Sequence, residues 1–139
     1  MNRLPSVLVI DDEVRSQESI RRTLEDDFEV FCASSAEDGL KVLEREFVQI
    51  ILSDQRMPGM SGVDFLKRVR AEWPEAIRII ISGYTDAEDI IAGVNEAGIY
   101  QYLLKPWQPE QLVLTLKSAA QMYRLQNENQ RLALELRAA

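Results

Sequence analysis

Residues 48–62 read VQIILSDQRMPGMSG, and the parsing of this stretch decides the fold. The apolar run Val48–Leu52 has strand length and β-branched character, and it runs out at a carboxylate, Asp54. Pro58, Gly59 and Gly62 then impose a turn and hold back the next helix until Val63. A strand, an acidic turn and a helix make a βα unit, and the same unit recurs along the chain. Val7–Ile10, Val30–Ala33, Ile77–Ile81 and Tyr102–Leu104 read as further strands. Val14–Leu24, Ala36–Arg45, Val63–Glu72 and Asp86–Ala97 carry apolar positions three and four apart, the helical period. The strands show little polar alternation, as expected when helices cover both faces of a sheet. An α/β fold with five parallel strands, doubly wound, follows. Ser34 with Glu37, Ser61 with Asp64 and Thr85 with Glu88 have the spacing of helix-start capping pairs. Gly98 suits a helix stop and Pro109 a first helical position.

The gross numbers narrow the function. A chain of 139 residues holds one domain with a single fold's worth of core. Its 16 basic and 23 acidic residues leave a net charge of −7, which repels nucleic-acid backbones and anionic membrane surfaces. No apolar run reaches the ~18–20 residues of a membrane helix, and no leader is evident, so a cytoplasmic protein is expected. The lone Cys32 has no internal disulfide partner, which fits a reducing compartment, and it reads as a small buried hydrophobe. The chain has no His, which removes Ser-His triads, histidine zinc sites and any internal histidine phosphodonor.

Five polar residues stand at the carboxyl ends of four of these strands: Asp11 and Asp12 after VLVI, Asp54 after VQIILS, Ser82 after IRIII, and Lys105 after YQYLL. Open α/β sheets bind ligands at that edge. Alone, each residue is ordinary, since strand-end Asp and Ser usually make turns and Lys is usually solvated. Together they are not. Converging carboxylates repel by roughly 1–4 kcal/mol per pair near a protein surface, and a cation offsets this. Mg²⁺ is the natural choice, being held by one or two carboxylates plus phosphate oxygens. An Asp carboxylate attacks phosphorus to form an acyl phosphate. Lys105 supplies a point charge, and Ser82 a hydroxyl, for phosphoryl oxygens.

From about Ser6 to Gln121 the chain resembles the receiver domains of two-component response regulators. That resemblance implies a flavodoxin-like (βα)5 sheet of strand order 2-1-3-4-5, a receiver over residues 1–121, and a cis bond between Lys105 and Pro106. It makes Asp54 the phosphoacceptor and surrounds Mg²⁺ with Asp11, Asp12, Asp54 and the backbone carbonyl of Arg56. Ser82 and Lys105 hold the phosphoryl oxygens, and Tyr102 turns inward as the Ser82 hydroxyl moves. The Arg56 side chain stands beside this acidic pocket, to pair with a carboxylate or point to solvent. The implied phosphodonor is a sensor histidine kinase.

The phrases SDQRMPGMSG, SGYTD and YLLKPW resemble receivers of the NtrC type, above all regulators of hydrogenase synthesis. The implied output is a transcription-activating, sigma-54-dependent domain. Similar phrases occur in receivers that control cyclic-di-GMP phosphodiesterases, the alternative output. An aspartyl-phosphate hydrolase is a rival, but its usual second Asp is replaced here by Arg56. A dimerisation module with a vestigial pocket is another.

After Pro109 one helical pattern runs to Ala139, long enough for residues 122–139 to project toward an output domain. Met122, Leu125, Asn129, Leu132 and Leu136 are spaced 3, 4, 3 and 4, a heptad seam with Asn129 at an a position. Such an Asn favours a parallel homodimer in register. Folding of these leucines back onto the domain is the competing expectation.

Overall fold

The computed structural model describes residues 4–83 and 87–138. Five strands alternate with five helices: β1 Ser6–Ile10, α1 Val14–Leu24, β2 Glu29–Ala33, α2 Ala36–Arg45, β3 Ile50–Asp54, α3 Gly62–Glu72, β4 Ile77–Ser82, α4 Ala87–Ala97, β5 Gln101–Leu104 and α5 Pro109–Ala138. All neighbouring strands pair in parallel, in the order β2-β1-β3-β4-β5. The order reverses between β1 and β3, which opens a crevice at their carboxyl ends.

Alternate residues of each strand feed two apolar layers. Val7, Val9, Ile50, Leu52, Ile77 and Ile79 pack with Ile20 and Leu24 of α1 and Leu112 and Leu116 of α5. Leu8, Ile10, Ile51 and Ile80 face the other way, onto Leu40 and Leu43 of α2 and Phe65, Leu66 and Val69 of α3. Each fully buried Leu, Ile, Val or Phe contributes about 1.5–3 kcal/mol by leaving water. Two-sided burial explains the absence of alternation in the strand sequences.

Three local expectations need correction. β3 starts at Ile50 and includes Asp54, two residues later than the apolar run suggested. Ser6 ties the segment before β3 to β1, its Oγ donating to the Phe47 carbonyl and accepting from Gln49 N–H. Ser53 and Asp54 instead register with Ile80 and Ile81 of β4. The cap of α2 is Ser35, whose hydroxyl accepts from Asp38 N–H, and not Ser34 paired with Glu37. The Ser34 hydroxyl is engaged by the Gln17 amide instead. Helix α3 begins at Gly62, capped by Ser61 as expected, with Asp64 N–H donating to its hydroxyl.

Thr85 lies outside the described residues. Cys32 is only partly buried; it packs against the α1–α5 layer, with Arg21 Nη2 3.4 Å from its sulfur. α4 ends as read from Gly98, whose φ of 62° turns the chain so that the N–H groups of Gly98 and Ile99 both reach the Val94 carbonyl. Among the described residues no helix is long and apolar enough to cross a membrane.

Candidate phosphoryl and metal site

β1 and β3, neighbours in the sheet, deliver the carboxylates. Asp11 follows β1 directly, and its carboxylate accepts the Glu13 N–H at 2.9 Å, a two-residue Asx turn that reverses the chain into α1. Asp54 ends β3. Carboxylate oxygens of Asp11, Asp12 and Asp54 all lie within 4.8 Å of one another. Asp11 and Asp54 are buried and Asp12 is exposed, so the cluster opens to solvent on the Asp12 side. There Asp12 shares a cleft with Gln55, Arg56, Met57 and Pro58.

β5 delivers the counter-charge. Lys105 Nζ sits 3.0 Å from Asp54 Oδ1, and its side chain is 40% exposed against 8% for Asp54. The cation therefore bridges solvent and the buried carboxylate. The Lys105–Pro106 bond is cis, as the resemblance implied. The backbone ties the strand ends together: Lys105 N–H donates to Ser82 O, and Gln55 N–H to Ile81 O. The Ser82 hydroxyl donates toward Tyr102 Oη at 3.2 Å, and Tyr102 is half-buried against the α2–α4 layer.

Charge crowding leaves its mark on the titration behaviour. Burial pushes the Asp11 carboxyl pKa up; the bond from Glu13 N–H and the attraction of Lys105 pull it down, and Asp54 and Asp12 raise it further. For Lys105, burial disfavours the ammonium, but the bond to Asp54 and the attraction of Asp54, Asp11 and Glu13 outweigh it, and its pKa is raised. Three hard oxygen donors at one strand edge, each repelling the others, form the donor set that a small divalent cation takes. The residues fit Mg²⁺.

Asp11, Asp12, Asp54 and Lys105 thus meet directly, Ser82 and Tyr102 pair beside them, and Arg56 lines the cleft on the Asp12 side. Met122, Leu125, Asn129, Leu132 and Leu136 belong to α5 instead.

Three residues that shape the site were not singled out from the sequence as part of it. Gln55, read only as loop, caps α3: its side-chain oxygen accepts Val63 N–H at 2.8 Å and its carbonyl accepts Gly62 N–H at 3.0 Å. Gly62, read as a turn residue, lets α3 approach β3. A Cβ there would stand 2.3 Å from the Asp54 carbonyl oxygen and 2.9 Å from Gln55 Cα. Gln17 is buried on α1, and its signal was available: a polar residue in register with Ile20 and Leu24 on the inward stripe.

This sheet order, with an acidic cluster at the switch point and a lysine just past the edge strand β5, defines a doubly wound α/β domain with a candidate cation site at its carboxyl edge. The chain belongs to the response regulator receiver domain family, whose family model matches residues 7–117. It is 61% identical over 133 residues to the hydrogenase transcriptional regulatory protein HoxA of Bradyrhizobium diazoefficiens, an alignment covering 96% of this chain and 27% of that protein. With HoxA of Cupriavidus necator the identity is 58%, over 96% of this chain and 28% of the relative. The chain therefore spans about a quarter of the length of these relatives. Among solved structures, a response regulator receiver domain protein from Clostridium thermocellum superposes with a TM-score of 0.82 at 33% identity, covering 88% of this chain and 98% of that one. The resemblance to receivers of hydrogenase regulators, drawn from the sequence, is borne out.

Proposed function

We propose that this chain is a phosphorylation switch in which Asp54 accepts a phosphoryl group from the phosphohistidine of a sensor kinase. The observation that carries the reading is the placement of Asp54. Its carboxylate ends a central strand, beside Asp11 and Asp12 and 3.0 Å from Lys105. A carboxylate oxygen of Asp54 attacks phosphorus, the P–N bond to the donor imidazole breaks, and that imidazole takes a proton from solvent. Bound Mg²⁺ would neutralise charge on the transferring group. Asp11 and Asp12, with Asp54 itself and the Arg56 carbonyl, are the residues that would hold it. Lys105 moves its contact from Asp54 to a phosphoryl oxygen, and the Ser82 hydroxyl turns from Tyr102 to another. Tyr102 then repacks, which couples the site to α4 and β5.

Shifting such an equilibrium from mostly off to mostly on requires about 5 kcal/mol of differential stabilisation. The new charge, two new hydrogen bonds and the Tyr102 packing are its sources. The names of the relatives support a transcription-regulating output, and the NtrC-type phrasing supports one that activates with sigma-54. In this reading the protein works in the cytoplasm, and its α5 seam pairs two chains.

Acetyl phosphate, a small phosphodonor, tests the assignment. The wild-type chain takes up one phosphoryl group in the presence of Mg²⁺, and Asp54→Asn takes up none. Stoichiometric, persistent labelling of Asp54→Asn refutes the phosphoacceptor role. Many turnovers of donor per chain would point instead to a hydrolase.

A further inference from the structure

Gln17 lies on the inward stripe of α1 and is 9% exposed. Its amide nitrogen faces three acceptors, none of them in its own helix. It stands 2.6 Å from the Asp11 carbonyl, 3.3 Å from the Ala33 carbonyl and 2.9 Å from Ser34 Oγ. Two N–H bonds serve all three, so the group is shared and held from every side. Ala33 O also accepts from Asp11 N–H at 3.1 Å. Gln17 therefore pins the carboxyl ends of β1 and β2 to α1.

The Asp11 carbonyl is the one that matters. It belongs to the peptide unit joining Asp11 to Asp12, and a peptide unit is planar. Fixing that carbonyl fixes the plane from which both side chains depart. The Glu13 N–H bond to Asp11 Oδ1 settles the carboxylate from one side, and Gln17 settles the backbone from the other. Without the amide, the Asp11–Asp12 peptide loses the Gln17 donor on its carbonyl, and repulsion between the two carboxylates acts on a less firmly held backbone. We propose that Gln17 is a positioning residue for the divalent-cation site, acting through the Asp11–Asp12 peptide. The inference rests on the reading of the acidic cluster as a cation site.

Partners one step removed from a metal typically change its affinity by 10–100-fold when removed. Gln17→Met keeps length and apolar packing but has no donor. Titration of the 139-residue chain with Mg²⁺, followed by backbone amide shifts of Asp12 and Glu13, gives the dissociation constant without any phosphodonor. The expected result for Gln17→Met is a constant raised about tenfold. Val69→Ala, a cavity in the α3 core, lowers the melting temperature without touching this loop. At a temperature where both variants are folded, it should bind Mg²⁺ within about twofold of wild type. Ser34→Ala, which removes only one of the three acceptors, should fall between.

A Gln17→Met constant matching that of Val69→Ala overturns the inference and leaves Gln17 as a purely structural amide. Failure of the wild-type chain to bind Mg²⁺ overturns the cation-site reading, and the inference with it.

Discussion

Asp11 carries two roles that oppose each other in the metal-free protein. Its carboxylate closes the turn into α1, but its charge is buried beside Asp54 and Asp12. The raised pKa means that the folded state binds this proton more tightly than the unfolded chain. Between the ordinary value of 3.8 and the raised one, the native state holds more protons, so stability falls as pH rises through that window. The cost is fully present only above the raised value. Asp11→Asn keeps an acceptor for Glu13 N–H and removes the charge. Its melting temperature without metal should exceed that of wild type by a few degrees, and saturating Mg²⁺ should abolish or reverse the difference. Thermal denaturation in chelator and in Mg²⁺ reads both. Lys105 has the opposite sense: its contribution is complete below 10.5 and is lost as pH rises through its raised folded value. At the same scale, Gly62 is demanded by proximity. A methyl group there meets backbone atoms of Asp54 and Gln55, which yield only by moving β3 or α3. Gly62→Ala should cost roughly 1–3 kcal/mol in denaturant unfolding and slow labelling of Asp54 by displacing its backbone.

Helix α4 is fastened at its carboxyl end by cations from two neighbouring elements. Arg70 of α3 donates to the carbonyls of Asn95 and Glu96, at 2.7 and 3.0 Å. Arg78 of β4 donates to the Gly98 carbonyl at 3.1 Å and to the carbonyls of Pro74 and Ala76. Lys67 of α3 adds an ion pair to Glu96 at 2.9 Å. Helix carbonyls left without intrahelical partners are thereby satisfied, and the negative end of the dipole meets positive charge. Gly98 allows this packing. Its left-handed φ excludes most side chains, and a Cβ would stand 2.8 Å from Arg78 Nη2. Gly98→Ala should destabilise the chain by about 1 kcal/mol or more, read from the denaturation midpoint. Amide hydrogen exchange in residues 94–97 should accelerate in Arg70→Ala, since the anchoring bonds are local.

Across the whole molecule, α5 joins a packed half to a projecting one. Leu112, Leu116, Ala119 and Tyr123 are buried, and Tyr123 also meets the exposed Phe47 edge to face at 6.1 Å. From Arg124 to Arg137 every residue but Asn127 is exposed. Leu125, Leu132 and Leu136 are 49, 45 and 77% exposed, so these leucines do not fold back on their own domain. Met122, the first residue of the seam, packs on the core of its own domain, and from Leu125 onward the seam is uncovered; the proposed dimer would cover it with a second α5. Leu132→Asp should convert a dimer to a monomer in sedimentation velocity, with little change in the melting temperature of the domain. A wild-type chain that is monomeric at high concentration would remove the seam from the proposal.

The sequence by itself determined the βα rhythm, the parallel sheet and the residue types gathered at its carboxyl edge. Hydrophobic period and helix punctuation act over a few residues, and strand ends in a parallel sheet all point one way. Asp11, Asp12, Asp54 and Lys105 were legible for that reason. The tertiary structure alone decided where β3 sits against β4, whether Ser34 or Ser35 caps α2, why Gly62 has no room for a side chain, and which acceptors the Gln17 amide meets. Each of those depends on how closely two segments distant in the chain approach, and local propensity carries no record of such distances. Ser34 had good capping chemistry, and a glutamine from another helix claimed it.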